Sequence, residues 1–231
     1  MGLRNPNHPR HDLELKQSPK PYICSGCKET GFGPRYHCAK CDFNLHETCM
    51  FPKILPSPHE FFPGSMFKFS TTPHKKCPRI CDACMNPIKG FVYHCRRHDL
   101  DLHPCCRNLH NRYEIEDVAF NLRSKIGRQC VWCDCESIKD RGWSYVSECG
   151  EYHVHVACVT EMALQKWHSG GGDLVRSVDK TSHWLWRSNK DHSKAIKCWR
   201  ILKIFVKTIV SIVLGDPTPV LASLFQDLIK N

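Results

Sequence analysis

The interval pattern Cys-x2-Cys-x10-Cys-x2-(Cys/His)-x4-His-x2-Cys occurs twice along this chain without a gap. The first copy is Cys24, Cys27, Cys38, Cys41, His46, Cys49; the second is Cys81, Cys84, Cys95, His98, His103, Cys106. Twelve residues at matched spacing make the chain a tandem array, in which each repeat is one small structural unit. Such a unit has little apolar sequence for a core, because the 41% hydrophobic fraction of the chain already counts its 17 Cys. Units of this kind need a covalent or metal staple.

The compartment decides between disulfides and metal. The N-terminus, Met1-Gly2-Leu3-Arg4-Asn5-Pro6, holds no apolar run of signal-peptide type, so an intracellular site in cytoplasm or nucleus is expected. Gly2 does not open a myristoylation motif, since Pro6 stands where Ser or Thr belongs. In a reducing compartment, recurring Cys-x2-Cys pairs read as zinc knuckles, each aiming two sulfurs at one ion.

A third, eroded copy opens at Cys130-x2-Cys133 and closes with Cys149, His155 and Cys158, with Ser147 standing roughly where Cys38 and Cys95 stand. Twelve residues separate His11 from Cys24; His59 follows Cys49, and His168 follows Cys158, at one shared interval. The first copy therefore has eight candidate ligands, enough for two tetrahedral ions. Spacing alone permits either sequential or interleaved division of these eight.

The phrases His8-Pro9-Arg10-His11-Asp12-Leu13, Tyr36-His37-Cys38-Ala39-Lys40-Cys41-Asp42-Phe43-Asn44-Leu45-His46-Glu47-Thr48-Cys49 and Trp143 through Cys158 resemble the phorbol-ester/diacylglycerol-type (C1) zinc finger. In detail they are similar to the divergent version found in plant Cys/His-rich proteins. The resemblance implies interleaved ligands: one site from Cys24, Cys27, His46 and Cys49, another from His11, Cys38, Cys41 and His59. It implies a complete site from Cys81, Cys84, His103 and Cys106, with Cys95 and His98 left in an incomplete companion because Ser65 replaces a His. His74, Cys77 and His110 are the nearby substitutes there. It implies a further complete site from Cys130, Cys133, His155 and Cys158, with Cys149 and His168 in a second incomplete one. Four full zinc sites and two incomplete ones result, and Cys77, Cys105, Cys135 and Cys198 remain as ordinary thiols.

The expected fold is a tandem of small zinc-stapled α+β modules, each of short antiparallel strands and a short helix, followed by a C-terminal amphipathic helical segment. Module 1 spans 8–59, module 2 spans 60–112 and module 3 spans 113–168. A Gly-rich linker covers 169–197, and a helical pair covers 198–231. In the first helix Ile201, Leu202, Ile204, Phe205, Val206, Ile209, Val210, Ile212, Val213 and Leu214 face away from a stripe of Arg200, Lys203, Lys207 and Ser211. That run is shorter than the roughly 20 residues a bilayer crossing needs. Packing against protein is the favoured reading, and peripheral membrane contact the other.

Closed four-ligand zinc sites leave no open position for water or substrate, so no catalytic centre is expected. The function these features imply is a non-enzymatic interaction protein, in a signalling or stress-response setting by resemblance, with a protein as partner. Diacylglycerol is not an expected ligand, because neither inter-knuckle loop, Lys28–His37 or Met85–His94, has the Gln that props the lipid groove in the lipid-binding relatives. Two alternatives stay open. Lys75, Lys76, Arg79, Lys89, Arg96, Arg97 and Arg107 sit beside Phe91 and Tyr93, a composition suited to nucleic acid. A ubiquitin-ligase-like or histone-reading finger shares the first copy's intervals, but would need Cys81 and Cys84 as its closing pair. The formal charge of +10 falls to about +7 once the four complete sites are filled, because each Cys3His site carries a net −1.

Overall fold

The computed structural model describes residues 2–73, 78–124, 129–130, 132–133, 142–150, 152–168 and 192–215. Its strands form three four-stranded antiparallel meanders. The first contains β1 (Leu3–Asn5), β2 (His8–Ile23), β3 (Thr30–Cys38) and β4 (Phe43–Leu45), followed by the one-turn helix α1 (Glu47–Met50). The second contains β5 (Ser57–His59), β6 (Phe62–Ser70), β7 (Val92–Cys95) and β8 (Leu100–Leu102), followed by a 3-10 turn at Cys106–Asn108. The third contains β9 (Arg112–Ile115), β10 (Val118–Arg123), β11 (Ser144–Ser147) and β12 (His153–His155). It runs into the longer helix α2 (Val156–His168). The tandem arrangement and the short antiparallel strands are those expected from the repeats.

Strand pairing moves the module edges. Strand β5 carries His59 and pairs with β6, so His59 belongs to the second sheet and not to the first. The first sheet begins earlier than residue 8, with β1.

The repeats copy one another bond by bond. Tyr36 pairs with Leu45, Tyr93 with Leu102 and Tyr145 with Val154, and in each case the next residue of the second strand's segment is a ligand-type His. His37 Nδ1 lies 2.9 Å from Asn44 Oδ1, as His94 Nδ1 lies 3.0 Å from Asp101 Oδ1. The backbone of Asn44 donates to Ser25 Oγ, as that of Asp101 donates to Asp82 Oδ2.

By compactness the chain divides into two units, Met1–Leu109 with Ser211–Pro217, and His110–Val210 with Thr218–Asn231. In the first, the core around module 1 consists of Leu13, Cys24, Cys27, Tyr36, Cys38, Leu45, Cys49, Met50 and Phe91. Four of these nine are cysteines, so the apolar contribution is small and the sulfur cluster is itself the centre of the core. In the second unit Phe120, Tyr145 and Tyr113 surround Phe205 of helix α3 (His192–Leu214). Phe205 stacks on Phe120 at 4.0 Å, and Ile201, Leu202, Val206, Ile209 and Val210 are buried with it. The second helix of the expected C-terminal pair and the 169–191 part of the linker lie outside the described residues.

Candidate metal centres

Each module places a knuckle opposite a short helical turn. In module 1 the backbone N–H of Lys28 donates to Cys24 O at 2.9 Å, closing the loop that holds Cys24 and Cys27. Lys28 adopts a left-handed conformation (φ 68°), and Met85 does the same (φ 60°) after Cys81 and Cys84. A non-glycine residue in that region costs about 1 kcal/mol, and such strain collects where local geometry serves a site. Opposite the knuckle, the N–H of Cys49 bonds to His46 O, which sets both side chains on one side of the turn.

Three clusters result, buried except for the half-buried Cys133: Cys24, Cys27, His46 and Cys49; Cys81, Cys84, His103 and Cys106; Cys130, Cys133, His155 and Cys158. Within each group the four donor atoms lie within 4.8 Å of one another. Zn–S and Zn–N bonds near 2.3 and 2.0 Å at tetrahedral angles place S and N about 3.5 Å apart. The matching separations are 3.4 Å for Cys27 Sγ and His46 Nδ1, and 3.4 Å for Cys84 Sγ and His103 Nδ1. In module 3 both Cys133 and Cys158 Sγ stand 3.5 Å from His155 Nδ1. The imidazoles thus present Nδ1 to the centre, with Nε2 buried on the far side of the ring.

The electrostatics favour a cation. In module 1 a hydrogen bond from Cys27 and a second from Cys49 draw the Cys24 thiol far below its ordinary value. The hydrogen bond with Cys24 in turn pushes Cys49 up to about 12. In module 3 Cys158 draws Cys130 down to about 3 by hydrogen bonding and is itself pushed far up by the same contact. In module 1 the Cys105 thiol beside Cys27 is likewise drawn well down, chiefly by its contact with Cys27, and a dication at the centre would stabilise all three ligand thiolates. The donor set, its spacing and its charge all fit zinc.

A fourth cluster lies at the edge of the first sheet: His8, His11, Cys38 and Cys41, with His11 Nδ1 3.0 Å from Cys41 Sγ. His8, and not the expected His59, stands with these three side chains. Residues three apart on a regular strand face opposite sides, but β2 is bulged at this point. Leu3 pairs with Leu13 and Asn5 with His8, so β2 spends three more residues than β1 across this stretch. The bulge turns His8 and His11 toward the same two sulfurs.

His59 has a different task. Its Nδ1 accepts the N–H of Phe61 at 3.1 Å in the turn between β5 and β6, just as Asn5 Oδ1 accepts the N–H of Asn7 in the turn between β1 and β2. It is the counterpart of Asn5, buried beside Phe62 and Phe67.

The second module keeps the same bulge, with Pro58 paired to Met66 and His59 to Phe62. This registers Phe62 with His8 and Ser65 with His11, so two donors of the outer group are lost. Ser65 Oγ lies 2.7 Å from His98 Nδ1, and Cys95 Sγ lies 3.8 Å from the same nitrogen. In the third module β9 and β10 pair in unbroken register, without a bulge. Ser147 stands at the place of Cys38, its Oγ accepting the N–H of Tyr152 and lying 3.2 Å from the exposed Cys149 Sγ. Cys149 is therefore not gathered into a four-donor group among the described residues. His168 ends α2, and its side chain lies outside the described residues, as do His74 and Cys77. The N–H of His110 donates to the Tyr113 hydroxyl, and the His110 carbonyl accepts from the Tyr145 hydroxyl.

Of the four thiols read as ordinary, Cys105 is not detached from the centres. It is buried, lies 3.3 Å from Thr48 Oγ1 and interacts electrostatically with Cys27 and His46 of module 1. No local spacing could have found it, because its partners belong to the preceding module. His8 had a signal, the shared phrase x-Pro at His8-Pro9 and Phe62-Pro63.

The fold and the clusters define a protein of zinc-finger modules. Residues 6–50 match the family model of the C1 domain, and the four Cys/His groups are consistent with divergent C1-like zinc fingers. A probable nucleoredoxin 1 of Arabidopsis thaliana is 45% identical over 42 residues, which is 18% of this chain and 7% of that protein. The chain thus matches only a small part of that relative's length. No solved structure matches.

Proposed function

We propose that this chain is a non-enzymatic interaction protein of an intracellular signalling or stress-response system, whose zinc modules hold partner-binding loops in place. The observation that carries this reading is the closure of the centres. Cys24, Cys27, His46 and Cys49 are all buried with their donor atoms within 4.8 Å of one another, four side-chain ligands for one ion. Such a centre has no position for a reacting water or substrate, and its role is structural. Among the described residues no helix is long and apolar enough to cross a membrane. The buried apolar face of α3 supports packing on protein over membrane contact.

Nucleic acid is the second reading, and side-chain placement narrows it. Arg107 is buried over the Tyr93 ring and bonds to Ser57 and the carbonyl of Pro58. Arg79 is paired with Asp99 and Asp101. Lys89, Arg96 and Arg97 remain as exposed cations of this module.

Proximity labelling in cells with the wild-type chain and with Cys24→Ser/Cys27→Ser tests the proposal. Specific protein neighbours lost in the variant support it. Neighbours unchanged by the variant, or binding to nucleic acid whose affinity falls steeply with salt and depends on Arg96 and Arg97, would replace it.

A further inference from the structure

Modules 1 and 2 touch through residues at equivalent motif positions. Glu29 and Asn86 each stand two residues after the second knuckle cysteine, and Asn86 Nδ2 donates to Glu29 Oε2 at 3.4 Å. Thr48 and Cys105 each precede the last ligand, and they lie 3.3 Å apart. Between them the N–H of Phe91 donates to Gly26 O at 3.0 Å, and the Phe91 ring enters the core of module 1. The two backbones approach so closely that a Cβ on Gly90 would overlap Gly26 O.

Two of these residues reach past their own module. Glu29 Oε1 lies 3.4 Å from His103 Nε2, the buried nitrogen on the far side of the ring from the Cys84 sulfur. Cys105, next in sequence to the ligand-type Cys106, is buried 3.3 Å from Thr48 Oγ1, beside Cys49 of module 1, and interacts electrostatically with Cys27 and His46. A metal-ligating imidazole donates its other N–H to a partner that fixes the ring, and loss of that partner costs 10- to 100-fold in metal affinity. Here the partner of each centre is supplied by the other module. His103 Nε2 faces the Glu29 carboxylate at ion-pair distance, and the Glu29 backbone accepts the N–H of Cys24 and so belongs to the module 1 knuckle. Cys27 and His46 are backed by a thiol that is ordered by the turn around Cys106.

We propose that the two buried centres of modules 1 and 2 bind zinc as a coupled pair, with Glu29 and Cys105 as positioning residues that make each centre's affinity depend on the other's occupancy. Filling the module 1 centre orders the knuckle that carries Glu29 and so prepares His103. Filling the module 2 centre orders the turn that carries Cys105 and so supports Cys27 and His46. By linkage the two effects are equal in size.

The test is a zinc titration of the full chain against a competing chelator, followed by native mass spectrometry and by alkylation mapping. Protection of Cys24, Cys27 and Cys49 reports one centre, and protection of Cys81, Cys84 and Cys106 reports the other. In the wild type the two sets should gain and lose protection together, with half-filled pairs under-represented relative to independent filling. Glu29→Gln keeps shape and the Asn86 contact but removes the charge. It should lower affinity at Cys81/Cys84/Cys106 by about 10-fold or more and separate the two protection curves. Cys105→Ala should weaken protection of Cys24/Cys27/Cys49 while leaving zinc still bound at Cys81/Cys84/Cys106. Module 3, protected through Cys130 and Cys158, serves as internal reference for folding. Independent filling in the wild type, or protection curves unmoved by both substitutions, would overturn the proposal.

Discussion

Removing His8 and removing His59 should have opposite signatures. His8→Ala deletes one of four donors at the bulge of β2, where His11 Nδ1 and Cys41 Sγ are 3.0 Å apart. A structural zinc site contributes about 10–16 kcal/mol of apparent binding free energy, so one ligand in four is worth on the order of 3 kcal/mol. At 1.4 kcal/mol per decade, that is roughly a 100-fold loss of affinity. His59→Ala removes instead the acceptor of a single turn hydrogen bond from Phe61, at a cost of about 1 kcal/mol in folding stability and no change in metal count. The assay is competition with a chromophoric chelator, combined with alkylation of Cys38 and Cys41. In His8→Ala these two thiols should become reactive at zinc levels that still protect Cys24 and Cys27. If His59→Ala releases an ion while His8→Ala leaves Cys38 and Cys41 protected, the assignment by strand bulge is wrong.

Three further outcomes follow from the same geometry. Gly90→Ala should destabilise the first unit by about 1–3 kcal/mol in chemical denaturation, since its Cβ meets Gly26 O at the junction of two backbones; a change within 0.5 kcal/mol would deny that junction. Phe205→Ala should cost about 3–5 kcal/mol in the second unit, because the ring is fully buried against Phe120 and Tyr145, and an unaltered melting curve would remove α3 from that core. In the metal-free module 1 cluster Cys24 is held low and already ionised, whereas Cys27 and Cys49 are held high and protonated and His46, raised by its thiol neighbours against burial, is charged. Zinc must displace the protons of Cys27, Cys49 and His46, so affinity should fall by about three decades for each unit of acidification near neutrality. Calorimetry in buffers of differing ionisation enthalpy counts those protons, and fewer than two at this centre would refute that protonation pattern.

The inner centres were legible because their chemistry is local in sequence. Cys24-x2-Cys27 and His46-x2-Cys49 each form within one turn, and repetition at Cys81 and His103 excludes coincidence. Their interleaving needed family resemblance, since spacing alone does not say which knuckle faces which turn. The outer centre was legible only in part. Counting outward from Cys49 reaches His59, but His59 crosses into the next sheet with β5, and the donor comes from the other end through a bulge that periodicity does not reveal. Cys105 and Glu29 escape any single-module reading because what they touch is set by packing between repeats.

The bulge in β2 and β6, absent between β9 and β10, separates two properties of the array that would otherwise be bound together. The inner four-donor group recurs with the bulge in modules 1 and 2 and without it in module 3, while a second group needs both the bulge and donor side chains on it, which Phe62 and Ser65 do not supply. Metal capacity in such an array is thus inherited hairpin by hairpin. Under zinc scarcity, a chain built this way can give up its exposed Cys41-side ion first and keep its folded modules to the last.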